Sequence, residues 1–153
     1  SWHGLSTRLR SEQRQQHKYE FIRDLLLSTG IMQDDYMYSR RPGQPPPLIR
    51  TTDHAWMKIT LREMILRHGM ELVNYFEHMF QMNTLSQYLN GLTPEERAFI
   101  REYLQSFRDG LRYGHRPLSD SEKERISRLI NIFERNKPLK SAASVFRHGE
   151  GGN

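Results

Sequence analysis

Between Asp53 and Met82 the chain runs without a proline or any clear stop. At about 100° per residue, Glu63, Arg67, Glu71, Asn74, His78 and Gln81 share one narrow stripe. Most of the remaining surface carries Trp56, Ile59, Leu61, Met64, Ile65, Leu66, Met70, Leu72, Val73, Tyr75, Phe76, Met79 and Phe80. A surface helix shows an apolar stripe on a polar cylinder; the inverse pattern predicts a buried central helix. Its length would be roughly 45 Å, against a diameter of about 40 Å for a compact chain of this size. It would cross the whole domain unless Gly69 breaks it, with Thr52 or Asp53 as its N-cap.

The flanking segments read differently. Residues 1–30 form a helical arm with two characters. Arg8 to Lys18 has only Leu9 as an apolar residue, whereas Tyr19 to Leu27 carries Phe21, Ile22, Leu25, Leu26 and Leu27, and Gly30 suits a helix end. The polar half lacks the apolar face of a membrane-surface helix. Residues 31–52 are an extended, proline-rich connection in which Pro45, Pro46 and Pro47 favour polyproline II. Pro42 and Pro45 satisfy PxxP, a pattern too short to identify a ligand; a stiff strap is the simpler reading.

Stronger signals follow. Thr93-Pro94-Glu95-Glu96 combines an N-cap, proline at the first helical position and a capping-box glutamate. That helix should end at Asp109 with Gly110 as its cap, burying Phe99, Ile100, Tyr103, Leu104 and Phe107. Ser119 with Glu122 starts another helix, ending near Asn136, whose buried face is Ile126, Leu129, Ile130 and Phe133. The two should form an antiparallel hairpin on the central helix, completing a helical core over residues 53–138. Residues 139–153 are a basic tail whose Val145 and Phe146 call for an anchor outside the domain. No strand signal stands out. The expected fold is all-α: a small helical bundle around a long central helix, with an N-terminal arm, a proline strap and a basic tail.

Composition adds one constraint to this picture. A hydrophobic fraction of 36% and a mean hydropathy of −0.80 are low for a self-sufficient globule. The absence of cysteine excludes disulfide and thiol chemistry, and no apolar run is long enough to span a membrane. The net charge is +5, with 18 arginines against 5 lysines. Arginine suits phosphate, carboxylate and interfacial contacts, although a GC-rich coding bias produces the same excess. The basic residues gather at both ends of the chain.

Enzymatic readings find little support in the residues. Glu63, His68, Glu71 and His78 lie on the central helix, but metal sites on helices need ligands at i, i+3 or i, i+4 on one face. His68 lies about 60° from the face shared by Glu71 and His78, and Arg67 in the same stripe would repel a cation. Neither a nucleophile elbow nor a phosphate-cradling glycine loop is present. No catalytic residue, cofactor or metal ligand is therefore assigned.

The arginines are more informative. Arg97, Arg101 and Arg108 line up opposite the apolar face of their helix, with Arg112 and Arg116 beyond it. Arg128 and Arg135 repeat the pattern on the next helix, Lys137, Lys140 and Arg147 extend it, and Arg8, Arg10 and Arg14 mark the arm. These are the expected RNA or partner contacts. The long 110–118 connection disfavours a helix-turn-helix reader of DNA. Arms, straps and tails around a small core describe a non-enzymatic structural or accessory subunit of a large assembly. The arginine excess favours a ribonucleoprotein such as a mitochondrial ribosome, with several protein subunits and ribosomal RNA as partners. The alternatives are a soluble accessory subunit of a membrane-bound respiratory-chain or ATP synthase complex, and an unrecognised helical enzyme or metal-binding protein. In the respiratory case membrane contact would come only through partners. A start at Ser1 reads as a processed terminus, and with the basic, cysteine-free composition it gives a mitochondrial expectation.

Overall fold

Helices account for most of the residues that the computed structural model describes, which are 2–33, 36–37, 47–110 and 117–135. The elements are α1 (Trp2–Ser28), β1 (Tyr36–Met37), β2 (Leu48–Arg50), β3 (Trp56–Lys58), α2 (Leu61–Gln81), α3 (Leu85–Asn90), α4 (Pro94–Arg108) and α5 (Asp120–Arg135). The chain divides into two compact units, Ser1–Leu72 and Val73–Asn153, and the division falls within α2.

In the first unit, α1 behaves as its sequence dictates. Arg8 to His17 are mostly exposed, while Tyr19, Ile22, Leu25 and Leu26 are buried. Gly30 takes a positive φ of 79° that only glycine adopts without strain, and Met32 then donates to the Leu26 carbonyl at 3.0 Å and buries its side chain. The expectation of a chain without strands is corrected here. β1, β2 and β3 form an antiparallel sheet in that order, with Tyr36 opposite Ile49, and Arg50 opposite Trp56. Thr51 donates to Ala55 at 2.8 Å across a tight turn closed by His54 at φ 65°. The sheet is tied to α1 because the Tyr19 hydroxyl donates to the Ile59 carbonyl at 2.5 Å. Burial raises the pKa of that phenol.

The helix expected from Asp53, α2, is correspondingly shorter than the sequence pattern implied. It begins at Leu61, not Asp53, and its cap is Thr60, whose hydroxyl accepts from the Glu63 amide at 3.1 Å. It runs through Gly69 for 21 residues, roughly 32 Å. Its polar stripe faces solvent, and Met64, Ile65, Leu72, Val73 and Phe76 are buried. It ends in a Schellman motif: Asn83 sits at φ 60°, Asn83 donates to Phe80 at 3.1 Å and Thr84 to Met79 at 2.9 Å.

In the second unit both capping boxes form. Thr93 and Glu96 exchange bonds of 3.1 and 2.9 Å, and Ser119 and Glu122 exchange bonds of 3.1 and 2.9 Å. Gly110 ends α4 at φ 86°. Phe99, Ile100, Tyr103, Leu104 and Phe107 of α4 are buried, as are Ile126, Leu129, Ile130 and Phe133 of α5. Phe76 of α2 meets Phe133 edge-on, ring centres 5.2 Å apart, and Tyr88 of α3 at 5.9 Å. Burial, with Tyr75 and Glu96 adding to it, pushes the Tyr88 phenol up to about 12.

The helix ends are held by a buried cation. Arg97 is only 4% exposed; its Nε donates to the Leu89 carbonyl at 3.3 Å and one terminal nitrogen to the Phe133 carbonyl at 3.4 Å. Those carbonyls belong to the last turns of α3 and α5, where the helix dipole is negative, and the Leu89 carbonyl also accepts from the Leu92 amide at 3.1 Å. Since Arg97 opens α4 and Phe133 closes α5, while Arg108 near the end of α4 reaches Ser127 at 3.3 Å, the pair runs antiparallel. The Arg97→Met variant keeps much of the stem but removes the guanidinium bonds to the Leu89 and Phe133 carbonyls. It should lose about 1–3 kcal/mol, read as a lower urea midpoint at an unchanged slope; an unchanged midpoint would show that the clamp contributes nothing.

Candidate functional site

A concavity of the second unit lies between the last turns of α2 and one side of α5. It is a groove of about 400 Å³ lined by Glu77, Phe80, Arg125, Arg128, Leu129, Asn131, Ile132, Glu134 and Arg135. Both walls are helical because Asn83 ends α2 just past Phe80 and the Ser119 box starts α5. Amphipathic spacing then does the positioning. On α5, Leu129 and Phe133 turn inward, which leaves Ile132 on the shoulder of the buried face. Phe80 is 56% exposed, a large apolar side chain left open to solvent.

One wall of the groove is electrostatically locked. Arg125 grips Glu77 with two bonds, Nε to Oε2 at 3.1 Å and a terminal nitrogen to Oε1 at 2.5 Å. The same terminal nitrogen reaches the Asn74 amide oxygen at 2.8 Å. Donating to Glu77 raises the Arg125 guanidinium pKa from an already high value, so Arg125 stays charged. This bidentate contact pins α5 to α2 and consumes the only carboxylate on the α2 wall. Arg128 is held more loosely: it pairs with Glu124 at 2.9 Å, but the two side chains are 61% and 71% exposed. Arg135 is exposed at the far end of the groove.

The arginines picked from the sequence meet different fates. Arg97 was expected on the surface, and the structure corrects this: it is buried against two helix ends, because the α4 face opposite Phe99 is covered rather than open. Arg101 is half-buried. Arg108 pairs with Asp109 at 2.9 Å. Arg128 and Arg135 share one side of α5 and meet at the groove. Arg8 and Arg10 are exposed on α1 and Arg14 is half-buried. Arg112, Arg116, Lys137, Lys140 and Arg147 lie outside the described residues. Sequence reasoning missed Glu77, Phe80, Arg125 and Ile132 as site residues. Two signals pointed to them: Glu77 is a carboxylate off the polar stripe of α2, and Ile132 is an isoleucine surplus to the buried face of α5.

The acid and histidine groups of α2 pair locally. His68 Nδ1 lies 2.7 Å from Glu71, and Arg67 bonds Glu63 at 3.1 Å. Among the described residues no group of three or more His, Cys, Asp or Glu side chains could hold a metal ion. No described helix is long and apolar enough to cross a membrane. No protein-family model, curated protein or solved structure matches the chain.

The Glu77–Arg125 lock yields a measurable coupling. Its side chains are 27% and 30% exposed, so a double-mutant cycle with Glu77→Ala and Arg125→Ala should return on the order of 1 kcal/mol. Urea unfolding of the four proteins gives the value. Strict additivity of the two single changes would mean that the pair does not hold the groove together.

Proposed function

We propose that the chain is a non-enzymatic subunit that works by binding other proteins within a larger assembly. The observation carrying this reading is the groove between α2 and α5, lined by exposed Phe80, half-buried Ile132 and three arginines. Exposed apolar side chains in a polar-rimmed concavity are the mark of an interaction surface, and arginine is enriched at protein interfaces while lysine is depleted. The Glu77 carboxylate of the groove is already committed to Arg125. The low hydrophobic fraction fits a chain that gains part of its burial from neighbours.

A ribonucleoprotein remains the assembly that the arginine excess favours, with Arg101 and the exposed Arg8 and Arg10 as RNA contacts. The burial of Arg97 and the local pairing of Arg108 and Arg128 reduce the cations free for phosphate, and shift the weight toward protein contacts.

Sedimentation of the tagged chain from its native cells tests this. The chain should travel in a particle far larger than its own 18.3 kDa, and remain there after nuclease treatment. The double change Phe80→Glu and Ile132→Glu should release it while leaving its helical circular dichroism unchanged. Sedimentation at its own mass would overturn the reading. Release by nuclease with the groove variant still bound would transfer the function to RNA binding.

A further inference from the structure

Resting on the protein-binding reading, we infer that the groove takes an acidic amphipathic helix of a different polypeptide, with two carboxylates a heptad apart flanking an apolar residue. The spacing on α5 sets the first requirement. Arg128, Asn131, Ile132 and Arg135 fall at i, i+3, i+4 and i+7, so they form one stripe with the isoleucine between the two guanidinium groups. Those arginines are about 10 Å apart along the axis. Carboxylates seven residues apart on a second helix have the same separation and one face. An extended strand reaches that distance only at i+3, where the side chain points to its opposite face. The helix-in-groove mode follows from this geometry.

Charge sets the second requirement. The lining carries three arginines against two carboxylates, and one of those carboxylates, Glu77, is spent on Arg125. What remains for an occupant is Arg135 and an Arg128 whose bond to Glu124 lies in water, where such pairs are worth little and exchange readily. An acidic partner is therefore complementary, and Arg135 near the α5 C-terminus also satisfies the dipole of its own helix without a fixed counter-ion. A second copy of the chain is the wrong sign: the net charge is +5, and the exposed half of α1 is basic through Arg8 and Arg10. The segment from 136 to 153 is also net basic, with Lys137, Lys140 and Arg147 against Glu150. A nucleic acid backbone offers no apolar side chain to cover Phe80 and Ile132 between the arginines.

A photocrosslinking residue at position 132 of the full chain, in its native cells, tests the assignment. The crosslinked peptide should come from another protein and carry two Asp or Glu residues seven apart around an apolar residue. The double change Arg128→Glu and Arg135→Glu should lower the yield at least tenfold, and reversing the partner's two carboxylates to lysine should restore it. A crosslink to RNA, to this chain, to a second copy or to a basic peptide overturns the inference. So does a yield indifferent to the double change, or no crosslink at all. If the chain still sediments in a large particle while any of these holds, only the nature of the occupant is wrong; if it sediments alone, the subunit reading itself has failed.

Discussion

The second unit depends on one buried cation. Arg97 stands at the fourth position of α4, close to the positive end of its own helix, where a guanidinium is electrostatically out of place. The site is favourable only because two other helices end there. The Leu89 carbonyl of α3 and the Phe133 carbonyl of α5 present the negative ends of their dipoles and accept from it. Burial lowers the pKa of Arg97, but arginine starts so high that it remains charged and keeps donating. Lysine could not span both acceptors with a planar fork. The capping box at Thr93 fixes where α4 starts, and Arg97, one turn in, reaches the Phe133 carbonyl of α5.

That last turn of α5 is also the functional surface. Ile132 and Arg135 flank Phe133, whose carbonyl the clamp holds, so the same bond that closes the core sets the end of the groove. The opposite constraint comes from Glu77 and Arg125, which join α2 to α5 in the middle of the groove wall. Beside these two polar contacts Phe80 stays exposed and Ile132 half-buried in the groove lining. A groove held open in this way is pre-organised, which lowers the ordering cost that an incoming helix must overcome.

Much of this fold is legible in the sequence, and the misses have physical reasons. The α4 and α5 boundaries follow from Thr93, Pro94, Glu96, Ser119 and Glu122, since capping is local and needs no tertiary knowledge. The α2 start was misplaced because Trp56, Met57 and Ile59 add to an apolar count at any period, whereas pairing with β2 makes 56–58 a strand. Thr60 with Glu63 spelled the true cap three residues into that run. Arg97 was misjudged because its helical phase describes α4 alone. The two carbonyls that bury it are supplied by Leu89 and Phe133, which no pattern within α4 contains. The groove was legible only in part: Arg128 and Arg135 declared themselves by spacing, but their neighbours Glu77 and Phe80 come from a helix distant in sequence.

The central claim is that Phe80 and Ile132 are covered by a neighbouring protein in the working assembly. Hydroxyl-radical footprinting of the isolated chain and of the chain within its native particle measures that cover directly. The account predicts ready oxidation of both side chains in the isolated protein and a several-fold loss of reactivity in the particle, with peptides spanning Arg128 to Arg135 showing the largest change. Equal reactivity of Phe80 and Ile132 in the two states would contradict it.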